Sequence, residues 1–270
     1  MKYTIKNFAR MQGLTVDTVR QYEKKGIILP VQDEENGYRY YSDLDIRIVS
    51  TSKWYSSLGF TLSEIAKFIR NLSKKDLAEA FSERILMQEK QIAVEMEKLE
   101  ELKRFNEYFR MIERGEGHYE KVTLPDLIWL PHSDQDVLFQ DQEVLEHVRE
   151  WVELLPMTFF SRWIPLDSAL GKEPFTYYMA IVTTPEKAKA WDLPRPSFTR
   201  SAAEGEYIQT MIRKPDEEVL SATHVDPVLR TVEDMGYALT GDILTMFVAS
   251  DCLDGAKYNY HILYLPVRRR

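Results

Sequence analysis

The 270-residue chain has one cysteine, Cys252, so it can form neither an intrachain disulfide nor a thiolate metal cluster. No apolar run approaches the roughly 20 residues needed to cross a bilayer. The N-terminus, MKYTIKNFAR, lacks the apolar core of a signal peptide. His118, His132, His147, His224 and His261 show no i, i+4 pair and no cysteine companion, which argues against a zinc site. A glycine-rich phosphate loop and a nucleophile elbow are also missing. No cofactor, metal, membrane span or catalytic residue is therefore expected, and the absences point to a cytoplasmic protein that is not an enzyme.

What is present is the composition of a folded, soluble chain, with 44% hydrophobic and 29% charged residues. Its length suits two domains and a connector. The net charge of −8 is unevenly spread. Residues 1–72 hold 11 basic against 8 acidic side chains, a surplus of +3 that leaves −11 for the rest. Phosphate contact is local because salt screens exposed charges beyond about 8–10 Å. A modestly basic reading head can therefore sit on an acidic remainder.

Four helical signals crowd the first seventy residues. Thr4 is placed to cap a helix carrying Ile5, Phe8 and Ala9, and Gly13 suits the turn after it. Thr15 caps a second helix over 16–25, which displays Thr18, Arg20, Gln21, Lys24 and Lys25. Asn36-Gly37 before Tyr38-Arg39-Tyr40-Tyr41 is a hairpin signal. Ser42 opens a third helix carrying Leu44, Ile48 and Trp54. The Thr61-Leu62-Ser63-Glu64 capping box opens a fourth with Ile65, Phe68 and Ile69.

From Lys74 to Arg114 there is neither proline nor glycine, and apolar residues from Leu77 to Ile112 keep a spacing of three to four. About 40 helical residues span about 60 Å. Such a stripe needs a partner, most simply the same helix of a second subunit; packing on the chain's own C-terminal domain is the alternative. Gly115 and Gly117 mark the break after it. Strand runs are expected at 120–124, 127–130, 176–182, 205–212, 244–249 and 258–267, with helices at 140–155 and 216–235. That order suggests an α+β domain with a weak internal duplication.

Tyr3-Thr4-Ile5, the run Gly13 to Gly26, Asn36-Gly37-Tyr38-Arg39-Tyr40-Tyr41 and Leu58-Gly59-Phe60-Thr61-Leu62-Ser63-Glu64-Ile65 together resemble the MerR family of transcription regulators. The C-terminal part resembles the GyrI-like effector-binding fold of multidrug-sensing members, through Gly205-Glu206-Tyr207-Ile208, Met235-Gly236-Tyr237 and Ile262-Leu263-Tyr264-Leu265-Pro266-Val267. The resemblance implies an α+β multidomain chain. It comprises a winged helix-turn-helix DNA-binding domain over 1–72, a dimerisation helix over 73–116 forming an antiparallel coiled coil, and a GyrI-like effector-binding domain over 117–270. It also implies a homodimer on a pseudo-palindromic promoter. There it would distort the DNA between the contact elements of RNA polymerase as an activator, in response to a small aromatic or apolar compound.

The residues fit that chemistry. On a helix in the major groove, Arg20 can pair bidentately with guanine and Gln21 with adenine. Thr15, Thr18, Tyr22 and Lys24 suit phosphate or the orienting of neighbours, and Tyr22 has packing as a rival role beside Val19. Arg39, braced by Tyr38 and Tyr40, can reach a phosphate or the minor groove, and Lys67 is a further phosphate candidate. For the effector, the aromatic residues Trp163, Tyr177, Trp191, Tyr207 and Tyr260 are candidates, although aromatics at this density also build cores. Many relatives carry a glutamate facing the drug pocket on the closing strand; here that stretch reads Tyr260-His261-Ile262-Leu263, and Glu206 is a candidate substitute. Two other readings stay open. The C-terminal domain could hydrolyse small electrophiles with Glu206 or His261 as acid or base, or it could engage a protein partner.

Overall fold

The computed structural model describes residues 2–70, 73–253 and 255–270. The chain divides into two compact units, Met1–Lys90 and Gln91–Arg270. The expected boundary at residue 72 falls on residues 71 and 72, which lie outside the described residues.

In the first unit, β1 (Tyr3–Thr4) leads into α1 (Ile5–Gln12) and α2 (Val16–Lys24). Thr4 is the N-cap of α1 without a side-chain bond, and Gly13 ends the helix at φ 59°, a left-handed value glycine adopts without a Cβ penalty. The Thr15 hydroxyl accepts from the Thr18 amide and caps α2. β2 (Val31–Gln32) and β3 (Arg39–Tyr41) pair antiparallel, with β1 on the other side of β3. The hairpin loop is wider than a two-residue turn. Gly37 takes φ 71°, and the Asp33 carboxylate accepts from the amides of Glu35 and Asn36. Reciprocal capping boxes open α3 (Asp43–Ser57), through Ser42 and Asp45, and α4 (Leu62–Arg70), through Thr61 and Glu64.

Phe8, Val19, Tyr22, Tyr41, Val49 and Ile65 close the core of this unit. In α3 Asp45, Val49 and Ser52 face inward, whereas Leu44 is exposed and Trp54 is 66% exposed. Positions i, i+4 and i+7 share one helix face, so fixing Val49 in the core turns Leu44 and Trp54 outward.

α5 (Lys74–Arg114) is one helix of 41 residues. Near its start Phe81 packs against Tyr55 and Phe60. Toward its end Tyr108 and Met111 are buried in the core of the second unit. Between them, Ile85, Leu86, Met87, Ile92, Met96, Leu99 and Leu102 stay between 50% and 69% exposed. The alternative expectation holds at one end of the stripe, where the last turns pack on the chain's own domain, and the middle is uncovered.

The second unit contains β4 (Tyr119–Leu124), β5 (Leu127–Pro131), the ribbon β6 (Ser133–Asp134) with β7 (Val137–Leu138), α6 (Gln142–Glu153), β8 (Phe159–Ile164), α7 (Leu166–Ala169) and β9 (Tyr178–Thr183). α8 (Pro185–Ala190), β10 (Arg200–Ala202), β11 (Gly205–Pro215), α9 (Ala222–Asp234), β12 (Tyr237–Leu239), β13 (Ile243–Leu253) and β14 (Ala256–Arg269) complete it. A nine-stranded antiparallel sheet runs β10-β5-β9-β8-β13-β14-β11-β4, with β12 against β14. The suspected duplication is visible in this order. β5-α6-β8-β9 and β11-α9-β13-β14 repeat strand, helix, strand, strand, and their strands appear in mirrored order about β8 and β13. Only three residue pairs join the halves there, Ile164 to Arg162 against Ile243 to Thr245.

Alternation along β14 splits the core between the sheet's faces: Ile262 and Tyr264 join Tyr108, Met111, Trp129 and Trp163, whereas Leu263 and Leu265 join Val225, Val228 and Val232 of α9. A further cluster sets Trp151 of α6 on Ile128, Leu130 and Ile181. Among the described residues no helix is long and apolar enough to cross a membrane.

His261 lies in this interior, 2% exposed, with no hydrogen-bond partner for either ring nitrogen among the described residues. Burial, then the nearby Arg162 and Lys214, pushes its pKa down to about 3. Below about pH 6.5 the unfolded chain takes up a proton that the folded chain refuses, so stability is lost as pH falls from about 6.5 toward 3. In urea titrations, the midpoint should fall across that window more steeply for the parent chain than for His261→Leu. Parallel profiles would remove His261 as the cause.

Candidate nucleic-acid interface and ligand cavities

α2 buries Val19 and Tyr22 and so turns its opposite face to solvent. Thr15, Arg20, Gln21 and Lys24 are exposed there, and Lys67 is exposed on α4. Thr18 is half-buried, its hydroxyl 2.7 Å from that of Thr15, so both threonines are engaged in the helix cap. Arg20 lies 3.1 Å from Asp17. On the hairpin, Tyr38 and Arg39 are exposed, and Tyr40 is half-buried with the Lys2 ammonium 5.8 Å from its ring centre. Tyr22 stands apart: it is 4% exposed in the core, where burial raises its pKa. Its side chain takes the packing role that the sequence left open.

Folding brings the displayed residues of helix and hairpin together. Arg20, Tyr38 and Arg39 line one groove of about 490 Å³ with Lys6 and Gln32. A helix face and a hairpin carrying arginines on one concave surface can meet a phosphate backbone and an adjacent groove edge at once.

In the second unit, three of the six candidate ligand residues meet. Trp163, Glu206 and Tyr207 line a cavity of about 440 Å³, where the Trp129 ring stacks on Trp163 at 3.7 Å. Glu206 is already paired with Lys121 at 2.5 Å, which raises the lysine's pKa. The other three lie elsewhere. Tyr177 is buried in the cluster under α9, Trp191 sits at the end of α8, and the Tyr260 hydroxyl donates to Asp251 at 2.9 Å.

A larger cavity, about 600 Å³, opens where β8 and β13 part beyond their three paired residues. Phe105, Phe159, Phe160 and Phe247 give it apolar walls, and Arg162, Ser161 and His132 give it polar points. None of these was among the six candidate ligand residues. The available signal was an arginine within the otherwise apolar run Phe159–Ile164. Among the described residues no group of three His, Cys, Asp or Glu side chains is placed to hold a metal ion.

Comparison with known proteins bears on the first unit. Residues 3–72 match the MerR HTH family regulatory protein profile. Residues 3–72 are a MerR-type helix-turn-helix domain. The chain is 32% identical over 98 residues to the HTH-type transcriptional activator mta of Bacillus subtilis, covering 36% of this chain and 38% of that protein. It is 33% identical over 69 residues to the HTH-type transcriptional activator TipA of Streptomyces coelicolor, covering 26% and 27%. The alignments thus span well under half the length of these relatives. A cryo-EM structure of an EcmrR–DNA complex covers 99% of this chain and all of its own at 17% identity, with a TM-score of 0.40, too low to support any argument from it.

Within the MerR-type domain one residue does more than its place in the motif suggested. The Glu23 carboxylate accepts a hydrogen bond from the Tyr41 hydroxyl and lies 3.4 Å from Arg39, so it ties α2 to β3. Burial, then this carboxylate, drives the Tyr41 pKa strongly upward. Alternation on β3 puts Arg39 and Tyr41 on one side, facing an acid in the last turn of α2, and that complementarity was the readable signal. Glu23 is mostly buried whereas Asp17 is exposed, so their substitutions should differ. Glu23→Ala should cost about 1–3 kcal/mol of stability by leaving the buried Tyr41 hydroxyl unpaired. Asp17→Ala should cost less than about 1 kcal/mol. Equal shifts in urea unfolding would take the positioning role from Glu23.

Proposed function

We propose that the chain is a homodimeric transcription regulator that binds promoter DNA through its MerR-type domain and senses a small apolar or aromatic molecule through its second unit. The observation that carries the DNA-binding half is the groove uniting Arg20 with Tyr38 and Arg39. α2 enters the major groove with Arg20 on guanine and Gln21 on adenine. Lys24 and Lys67 meet phosphates, Thr15 and Thr18 hold the helix start, and Arg39 between Tyr38 and Tyr40 reaches the neighbouring backbone. Arg20 keeps the exposed Asp17 as a partner, and exposed ion pairs are worth at most about 1 kcal/mol, so DNA can displace it at little cost.

The exposed stripe from Ile85 to Leu102 supports a coiled coil between two copies, antiparallel as the family resemblance implies. Such a dimer reads a pseudo-palindrome. The relatives mta and TipA are named transcriptional activators, which supports activation by distorting the promoter for RNA polymerase, in the cytoplasm. The two cavities support sensing over catalysis. The acid–base candidates of a hydrolase are separated: Glu206 is held by Lys121, and His261 is buried outside both cavities.

Arg20→Ala should weaken binding to the chain's own promoter fragment by about tenfold or more, with a smaller loss on random duplex, in fluorescence anisotropy at fixed salt. Equal losses would make Arg20 a phosphate contact only. Ile92→Glu combined with Leu99→Glu should yield monomers in sedimentation velocity. A parent chain that sediments as a monomer at micromolar concentration would sink the dimer.

A further inference from the structure

The cavity where β8 and β13 part has apolar walls and one cationic side chain, Arg162, which has no ion-pair partner among the described residues. The cavity's one carboxylate, Glu101, is already paired with Arg104 at 3.0 Å. Three polar atoms in the wall are buried without a hydrogen-bond partner: Arg162 Nε, Ser161 Oγ and His132 Nε2. Burying polar groups unsatisfied costs about 1–3 kcal/mol each, and two of them share one face of β8: Arg162 and, against Phe160, His132, whereas alternation turns Ser161 to the other face. The Arg162 guanidinium also lies 5.8 Å from the Tyr177 ring centre, a contact that limits its freedom.

Resting on the sensing role proposed above, we infer that this cavity takes an apolar monoanion of one or two aromatic rings, a carboxylic acid whose carboxylate is held by Arg162. The planar guanidinium matches a carboxylate edge to edge, and charge-assisted hydrogen bonds are about twice as strong as neutral ones. Phe105, Phe160 and Phe247 supply the apolar walls, and about 600 Å³ is the volume of a drug-sized site. A lipophilic cation would instead meet an unneutralised arginine in a dry wall. The acidic, tryptophan-lined cavity at Trp129 and Trp163 is the better place for a cation, because Glu204 and Asp242 also line it.

Calorimetric titration of the full chain with 2-naphthoate and its uncharged isostere 2-naphthamide tests this. The acid should bind about tenfold or more tighter than the amide. Arg162→Met should bring the acid down to the level of the amide while leaving the amide unchanged, and Arg162→Lys should restore part of the preference. Phe247→Ala should weaken both compounds, and melting curves confirm that each variant is folded. An amide that binds as tightly as the acid, or an Arg162→Met chain that keeps its preference, overturns the inference. Binding of tetraphenylphosphonium but of neither naphthalene compound also overturns it, yet leaves the sensing role standing. If neither the acid, the amide nor the cation binds saturably, both readings fall together.

Discussion

One helix sets the terms for the molecule: α5 carries apolar surface along 41 residues, and a single chain covers only part of it. Its first turns give Phe81 to the core of the MerR-type unit, and its last give Tyr108 and Met111 to the sheet. Both ends are therefore fixed by burial at about 25 cal/mol per Å². The Tyr108 hydroxyl is further held 2.8 Å from that of Tyr264, which also accepts from Gln209. The middle has no such cover. Seven large apolar side chains left half-exposed on one helix are costly in water, which makes a second helix the physical requirement of the proposed assembly.

Electrostatics in the reading head follow a similar division between fixed and available groups. Glu23 is mostly buried and anchors the hairpin through Tyr41, so its charge is structural. Asp17 is exposed and holds Arg20 only loosely. Arg20 is thereby held yet free to exchange partners, which in the proposed complex would lower the entropy it loses on meeting a base. The same logic explains why a chain of net charge −8 can present a basic surface: what matters is which cations are displayed within a screening length of the groove.

Local chemistry was legible in the sequence and non-local pairing was not. Thr15, Ser42 and Thr61 act where they stand, because a cap is decided by a few neighbouring amides, and the helices began where those residues said. The continuous stripe of α5 was equally plain. By contrast, the face α3 buries depends on how Val49 meets other elements, and the apolar side chains Leu44 and Trp54 point outward. Tyr22 shows the same limit within the proposed site: its type suits DNA, and its depth, set by α1 and β3, puts it in the core. Trp163, Glu206 and Tyr207 converge because β8 and β11 happen to carry them to one end of the sheet, whereas Tyr177 and Tyr260 do not join them. The larger cavity exists only because β8 and β13 separate after three pairs, a property of two strands some eighty residues apart that neither strand records alone.

That separation bears on how sensing would work. Glu101 and Phe105 line the larger cavity and belong to the helix that runs back to Lys74. A ligand seated there touches α5 itself, within two turns of Tyr108 and the sheet. Contact alone transmits nothing, however. A ligand moves an equilibrium only by the difference in its affinity for the two states, about 1.4 kcal/mol for each tenfold shift. The joint between the sheet halves, held by three residue pairs, is where two states of similar energy are cheapest to build. A ligand wedged between β8 and β13 would favour the more open joint, and Phe105 would report that opening to the helix.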